Sequence, residues 1–262
     1  MRDFEIVDQN LRTALQFFGD ATGHGEIRAL DGTMAIYSGL DYGVFNIAAL
    51  SRPVLAGGGG LESRIAECAR YYQPHSARWS FWLCEDLLEA GVRRHARQAF
   101  GGCGLRVISQ PPGMLTEALR KPDWILPEIE CREVADQTTR DAFAAITSTC
   151  FDIPYDISQA VYRPERAWKG SYRGYVGFAG GKPVSMVALV AATGVLGIYS
   201  LATAPECRRR GYGEALLRAA TAKEQERIGP RRLVLQSTDA GYRLYRRLGF
   251  RDVAKFSVYL TQ

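Results

Sequence analysis

The chain has 262 residues, of which 47% are hydrophobic and 23% charged, and its formal net charge is +5. This composition is that of a globular protein and excludes a wholly disordered chain. The length allows one large domain or two of ordinary size, and we expect two. No apolar run approaches the ~20 residues that span a bilayer, and the start lacks a signal-peptide pattern, so a cytoplasmic protein without a membrane partner is expected.

The positions of the cysteines, histidines and charged residues limit which disulfide, metal and anion sites the chain can form. The six cysteines include no Cys-x-x-Cys pair, and the three histidines have no metal-ligand spacing. We therefore expect free thiols and no metal. The positive charge is concentrated, because residues 205–251 hold twelve Lys or Arg against five Asp or Glu. That stretch is expected to bind an anion.

The first half of the chain predicts alternating helices and strands. Helices are expected near 11–18, 61–72 and 86–100, and strands near 33–37, 44–50, 78–84 and 106–109. Pro122 and Pro127 then bracket a segment that can continue neither a helix nor an inner strand. The domain boundary is therefore placed after residue 126, which gives domains 1–126 and 127–262.

The second half repeats this alternation with sharper boundaries. Strands are expected at 129–134, 172–178, 184–192, 196–203, 233–236 and 253–260, and helices at 138–151, 158–168, 213–228 and 240–248. The order predicts an α/β fold (α+β) with a mixed sheet. Similar length and element order favour an internal duplication, and the alternative is that many α/β halves look alike.

The most specific motif is a basic glycine loop at 208–213, between a predicted strand and a predicted helix. It consists of Arg208, Arg209, Arg210, Gly211, Tyr212 and Gly213. The glycines permit a tight curl, so that successive N–H groups and the positive end of the helix converge on one anion. Arginine adds charge-assisted contacts suited to phosphate. The motif is neither a dinucleotide-binding nor a Walker loop, and the alternative is a solvated arginine-rich turn.

Arg208-x-x-Gly211-x-Gly213 resembles the [QR]-x-x-G-x-[GA] motif of the GNAT acetyltransferase superfamily. Residues 242–250 (Tyr-Arg-Leu-Tyr-Arg-Arg-Leu-Gly-Phe) resemble its LY-x-x-x-GF segment, and residues 201–206 its splayed strand and Pro-Glu turn. The resemblance implies acetyl transfer from acetyl-CoA to an amine on a small molecule or peptide, by direct attack on the thioester. It also implies two tandem GNAT-like domains, with the cofactor motif in the second and a degenerate first.

The resemblance assigns cofactor contacts as well. The pantetheine arm would pair with a strand that parts from its neighbour, at Leu201, Ala202 and Thr203. The pyrophosphate would rest on the amides of 209–214, which end at Glu214. Thr238 stands where relatives often carry Asn and would hydrogen-bond the cofactor arm.

The chemistry that the resemblance implies needs a proton donor, an oxyanion donor and a base. Tyr245 matches the superfamily's general acid, which protonates the departing thiolate, and the alternative is a tyrosine packed in the core. The backbone N–H of Leu201 is the candidate donor to the thioester oxygen. Many relatives carry a glutamate as base, but this strand offers hydroxyls only, so Tyr199, Ser200 or an acid from elsewhere in the chain is expected to receive the proton through water.

An acceptor site is expected in the helix pair before the sheet, around 151–156 and near Trp168. Asp152 and Asp156 would suit a cationic acceptor, and the alternative is that they are ordinary surface acids at helix ends. The first half is expected to have lost its cofactor. Residues 56–60 can bend like a phosphate loop but bring no arginine, and residues 100–105 have no tyrosine at the position of Tyr245.

Three kinds of function fit the sequence. Acetyl transfer is favoured, and the alternatives are a sensor or interaction module that binds CoA esters without turnover and a nucleic-acid-binding module. The basic residues lie in a structured loop and two helices with little aromatic interleaving, which argues against nucleic acid. The acceptor and the oligomeric state do not follow from the sequence.

Overall fold

The structure is a computed structural model that describes residues 1–56 and 60–262. The glycines for which a loop-like bend is predicted in the first half, 57–59, lie outside the described residues. None of the helices in the described part of the chain combines the length and the apolar character needed to cross a membrane.

The first half opens with two helices and continues with alternating strands and helices. These elements are α1 (Asp3–Leu15), α2 (Phe17–Ala21), β1 (Glu26–Leu30), β2 (Thr33–Tyr37), β3 (Ile47–Leu50), α3 (Leu61–Tyr72), β4 (Ser80–Cys84), α4 (Ala90–Gly102), β5 (Leu105–Ser109) and β6 (Pro112–Thr116). Helix α3 and strand β2 have the predicted bounds. Strands β1 and β6 were not predicted, since β1 is largely exposed and β6 begins with a Pro-Gly pair typical of turns.

The second half has the predicted order of elements. They are β7 (Glu130–Glu133), α5 (Gln137–Phe151), α6 (Tyr155–Tyr162), β8 (Tyr172–Ala179), β9 (Lys182–Ala192), β10 (Val195–Thr203), α7 (Tyr212–Ile228), β11 (Arg232–Gln236), α8 (Asp239–Arg247) and β12 (Arg251–Thr261). The helix predicted at 158–168 is wrong in extent, because α6 ends at Tyr162 and Pro164 precedes a separate 3₁₀ turn, Glu165–Lys169.

The strands of the described residues form one mixed sheet. Their order is β1-β2-β3-β4-β12-β6-β11-β10-β9-β8-β7, and β5 pairs with β12. The pairs β3–β4 and β10–β11 are parallel, and the other strand pairs are antiparallel. Helices α3 and α7 form the crossovers of the two parallel pairs. The predicted mixed α/β fold with two similar halves is therefore confirmed.

Each half of the chain supplies one strand to the other half. Strand β6, from the first half, lies between β11 and β12. Strand β12 continues past β6, and its later residues lie between β4 and β5. The local strand orders in the sheet are β4-β12-β5 in the first half and β11-β6-β12 in the second. In each half, the middle strand of the three comes from the other half. The sheet is thus continuous across residue 126, and the division into 1–126 and 127–262 remains a proposal about the sequence.

Helices cover both faces of the sheet in the second half. Along β9, Val187 and Leu189 belong to a core formed with α7 and α8, whereas Met186 and Ala188 belong to a core formed with α5, α6 and α2. Helix α1 of the first half also lies on β9 and β10. The first half therefore forms part of the surroundings of the strand that precedes the basic loop.

Candidate active site

Strands β10 and β11 run together briefly and then part. Residues 195–197 pair with 232–234, and β10 has no further pairing with β11 beyond Gly197. On its other side β10 stays paired with β9, except for a bulge between Tyr199 and Ala202. Ser200 in this bulge has φ 51°, a left-handed conformation that costs a non-glycine residue about 1–2 kcal/mol. On the side facing β11, residues 200–203 therefore have no strand partner among the described residues, although side chains donate hydrogen bonds to the Thr203 carbonyl oxygen.

The basic loop that follows β10 curls through two left-handed residues. Arg209 has φ 61° and Gly211, the N-cap of α7, has φ 85°. The amides of Tyr212, Gly213 and Glu214 open the helix and are bonded to no described residue. These donors and the positive end of the helix dipole together suit an anion, and we call them the candidate anion site.

The three consecutive arginines of the loop are exposed to solvent. Arg208 Nε donates to the carbonyl oxygen of Thr203 at 3.1 Å, which ties the loop to the end of the parted strand. A Cβ added at Gly213 would lie 2.8 Å from Thr203 Oγ1, so the glycine lets the helix approach that strand closely. The anion site and the parted strand are therefore neighbours.

Glu214 is an acid beside this anion site, and its carboxylate points elsewhere. The side chain is buried and accepts hydrogen bonds from Arg218 Nε at 3.0 Å and from Arg247 Nη2 at 2.7 Å. Its charge is thereby neutralised while its amide remains available. Sequence reasoning missed both arginines. The i,i+4 spacing of Glu214 and Arg218 on one helix could have revealed the first, but Arg247 comes from a different helix.

Tyr245 lies on α8 with its ring in the core shared with α7. The residue is 8% exposed, and its ring meets that of Phe250 edge-on at 5.5 Å. Burial raises the pKa of the hydroxyl, and no described residue bonds to it. A Cβ at Gly241 would lie 3.0 Å from Tyr245 Cε2, so the glycine makes room for this ring. Tyr245 is thus a core residue whose hydroxyl keeps its proton at neutral pH and is bonded to no described residue.

Thr238 and Tyr199 both have structural partners. Thr238 is the N-cap of α8, where its Oγ1 accepts the Gly241 N–H at 3.2 Å. Tyr199 donates its hydroxyl to Asn10 Oδ1 of α1 at 2.7 Å, and burial raises its pKa. Ser200, in contrast, lies in the bulge itself, with Oγ 2.8 Å from Tyr172 Oη. Sequence reasoning could not identify Asn10, since it lies in the other half of the chain.

The predicted acceptor residues lie at the turn between α5 and α6. Asp152 caps α5 with φ 54°, Asp156 lies in the first turn of α6, and both are exposed. Their neighbours Phe151 and Tyr155 are also exposed. Cys150 Sγ, at the end of α5, donates to the Thr203 carbonyl oxygen at 3.3 Å. The turn is therefore attached to the parted strand.

In the first half, the place that corresponds to the parted strands is closed. Strands β3 and β4 pair over three residues, as β10 and β11 do. Beyond this, Val54 donates its N–H to Leu87 O at 2.9 Å and accepts the Glu89 N–H at 3.0 Å. Phe100, at the position of Tyr245, is buried and stacks on Tyr259. An added ligand arm would have to break the backbone bridge at Val54.

Residues 140–250 match the family model described as Acetyltransferase (GNAT) family. This range holds the parted strands, the anion loop and Tyr245. This part of the second half therefore matches the same family whose motifs the sequence resembles.

Solved structures resemble the whole chain. The GCN5-related N-acetyltransferase from Kribbella flavida is 19% identical, covers 100% of this chain and 96% of its own, and has a TM-score of 0.72. A functionally unknown conserved protein from Staphylococcus epidermidis ATCC 12228 is 13% identical, with coverage of 90% and 94% and a TM-score of 0.62. The GCN5-related N-acetyltransferase from Sphaerobacter thermophilus is 17% identical, with coverage of 88% and 80% and a TM-score of 0.55. No curated protein matches. At these identities the likeness shows the fold, and it extends over both halves.

Proposed function

We propose that the second half transfers an acetyl group from acetyl-CoA to an amine by direct attack on the thioester. The observation that carries this proposal is the parting of β10 from β11 directly before a set of loop amides that bond to no described residue. CoA presents the complementary groups in the same order, a pyrophosphate for the amides and a pantetheine arm whose amide groups can pair with a free strand edge.

The residues present fit acetyl-CoA as the acyl donor. The amides of 209–214 would hold the pyrophosphate, with Arg208, Arg209 and Arg210 neutralising its charge. The free edge of β10 at Leu201, Ala202 and Thr203 would hold the pantetheine arm. Thr238 remains a proposed contact, because its Oγ1 can still donate a hydrogen bond while it accepts the Gly241 N–H.

Acetyl-CoA supplies an acyl group already activated as a thioester, so the protein's task is to orient groups and move protons. The Leu201 N–H, in the bulge, would donate to the thioester oxygen as charge develops there. Tyr245 would give its proton to the departing sulfur; a phenol is protonated at neutral pH, and burial, which raises its pKa, makes it hold that proton more tightly. The Tyr199 hydroxyl is bonded to Asn10, so we assign the relay of the amine proton to Ser200, which lies 2.8 Å from Tyr172 Oη. The proton that leaves the amine would pass from the Ser200 hydroxyl to water.

The acceptor is proposed to be a cationic amine on a small molecule or peptide. Asp152 and Asp156 supply negative charge, and Phe151 and Tyr155 supply exposed aromatic faces, at a turn attached to the parted strand through Cys150. Removing the proton from an alkyl amine with a pKa near 10 costs about 4 kcal/mol of free energy at pH 7.

Release of free thiol from acetyl-CoA with a panel of amines tests turnover. CoA binding without thiol release for any amine would favour the sensor alternative.

Calorimetric titration with acetyl-CoA is expected to give one site per chain. The first half is proposed to be a degenerate copy, since the Val54 bridge closes its strand pair and Phe100 lacks the hydroxyl of Tyr245. Arg64 of α3 reinforces this closure by donating to the carbonyl oxygens of Arg52 and Pro53 at 2.7 and 3.1 Å. Two sites per chain would contradict the degeneracy, and no site would contradict the proposed function.

Gly211→Val is expected to weaken acetyl-CoA binding by about tenfold or more, because the side chain would disturb amides that donate to a charged phosphate. Gly211 has φ 85°, and an added Cβ would lie 2.9 Å from Pro127 Cδ. The free energy of unfolding should therefore also fall, by about 1–3 kcal/mol. Calorimetry and urea unfolding measure the two effects.

Gly194→Val is the matched control for this substitution. Gly194 has φ 74°, has no atom within 4 Å of an added Cβ, and lies at the opposite end of β10. It should lose stability through the same backbone strain while keeping its affinity for acetyl-CoA. Equal loss of affinity in both variants would show that Gly211 does not act through the loop amides.

A further inference from the structure

The linker between β6 and β7 lies along the helices that flank the anion loop. Arg218 of α7 donates Nη2 to the carbonyl oxygen of Arg120 at 2.6 Å. At the other end of this segment, Pro127 lies against Gly211, as the 2.9 Å approach of its Cδ to an added Cβ shows. We call residues 120–127 the strap. Its two ends are fixed to α7 and to the loop.

Trp124 lies in the middle of the strap and is 45% exposed. The guanidinium of Arg247 lies over its ring, 4.1 Å from the centroid. The same guanidinium bonds to Glu214 Oε2 at 2.7 Å, and Glu214 is one of the residues whose amides open α7. Arg247 thus fixes the indole relative to the first turn of α7, while a large part of the indole remains in contact with solvent.

From this arrangement we propose that Trp124 stacks on the adenine of CoA when the loop holds its pyrophosphate. The inference rests on the proposed function and specifies its cofactor site. The adenine of CoA is joined to the pyrophosphate through one ribose, so it must lie close to the loop amides. Chain connectivity keeps the Cα atoms of Trp124 and Pro127 within about 11 Å of each other, and Pro127 touches the loop.

Stacking is the contact that an indole makes best with a base, because both present flat π faces. A bound adenine would cover exposed indole surface that the fold itself leaves in water. The strap is absent from the GNAT motifs in the sequence, so this contact would be a property of the linker between the halves. If Trp124 stacks on the adenine, the strap should raise the affinity for CoA and should not affect the affinity for ligands that lack the nucleotide.

The experiment compares acetyl-CoA with S-acetyl-4′-phosphopantetheine, which has the same thioester arm and no adenosine. Trp124→Ala is expected to weaken binding of acetyl-CoA by about tenfold, the typical effect of losing one base–aromatic stack. It should leave binding of S-acetyl-4′-phosphopantetheine unchanged. Trp124→Phe should retain most of the affinity for acetyl-CoA, and Ile125→Ala, a change at the 98% exposed neighbour, should retain all of it.

Two results would overturn the inference. Equal weakening of both ligands by Trp124→Ala would show that the residue shapes the loop, and no weakening of either would show that the indole does not touch the cofactor. Thermal unfolding checks each variant, and Trp124→Leu, which keeps an apolar contact under Arg247 without a ring, replaces the alanine variant if that one does not fold. A wild-type chain that binds neither ligand would refute the proposed function as well, whereas an affinity for acetyl-CoA that Trp124→Ala leaves unchanged refutes this inference alone.

Discussion

Tyr245→Phe is expected to lower kcat by about 10²–10⁴-fold, the usual effect of losing a general acid, and to leave the affinity for acetyl-CoA nearly unchanged. The ring of Tyr245 is packed in the core, while its hydroxyl is bonded to no described residue. Phenylalanine therefore keeps the packing and removes only the proton donor. Since no hydrogen bond is lost, the midpoint of thermal unfolding should stay the same.

The matched control is Tyr242→Phe on the same helix. The Tyr242 hydroxyl is exposed and donates to Asp252 Oδ2 at 3.0 Å, away from the core. Its removal should leave kcat within about twofold of wild type, since surface changes rarely exceed ±0.5 kcal/mol. Single-turnover measurements with acetyl-CoA and a productive amine separate chemistry from product release. Full kcat in Tyr245→Phe would show that this residue only packs, and that the thiolate leaves unaided or takes its proton from water.

Separate expression of residues 1–126 and 127–262 is expected to give two fragments that do not fold alone. The first fragment lacks β12, whose buried Phe256 and Tyr259 fill the place between β4 and β5. The second lacks β6, whose buried Met114 and Leu115 lie between β11 and β12. Each buried side chain of this size contributes roughly 1.5–3 kcal/mol, and a whole domain is stable by only about 5–15 kcal/mol.

Amide dispersion in two-dimensional NMR spectra measures whether each fragment folds, and mixing the fragments should restore the spectrum of the intact chain. The control is a full-length chain with a protease site at Ile125, which is 98% exposed. Cleavage there keeps both exchanged strands in place, so the nicked protein should stay folded. A well-dispersed spectrum from 127–262 alone would contradict the interlocking of the halves.

Features set by local chemistry could be predicted from the sequence. The glycines and arginines of the loop define a turn into a helix, and α7 begins at Tyr212 within that motif. The hairpin of β8 and β9 follows from Gly180 and Gly181, both at positive φ. The alternating apolar pattern in the second half gave the order of elements and hence the mixed sheet.

Features that depend on distant partners could not be predicted. Nothing in the periodicity of β12 indicates that it pairs with strands from the other half. The hydroxyl of Tyr199 is expected near the reacting amine from its place on β10, yet its partner is Asn10, far away in the chain. The position of Thr238 in the sequence suggests a contact with the cofactor. The structure shows that the same side chain also caps the N-terminus of α8. Side-chain orientation and long-range pairing decide such roles, and neither is encoded in spacing.

The exchange of β6 and β12 also determines the order in which the protein can mature during its synthesis. Strand β12 lies at residues 251–261, so the ribosome delivers the strand that separates β4 from β5 after nearly everything else. Until then, the edges of β4 and β5 that face β12 stay unpaired, and β6 can pair only with β11. Such open edges favour pairing with other chains. The first half therefore cannot finish folding before residues 251–261 have been synthesised, and both halves must close together after that point.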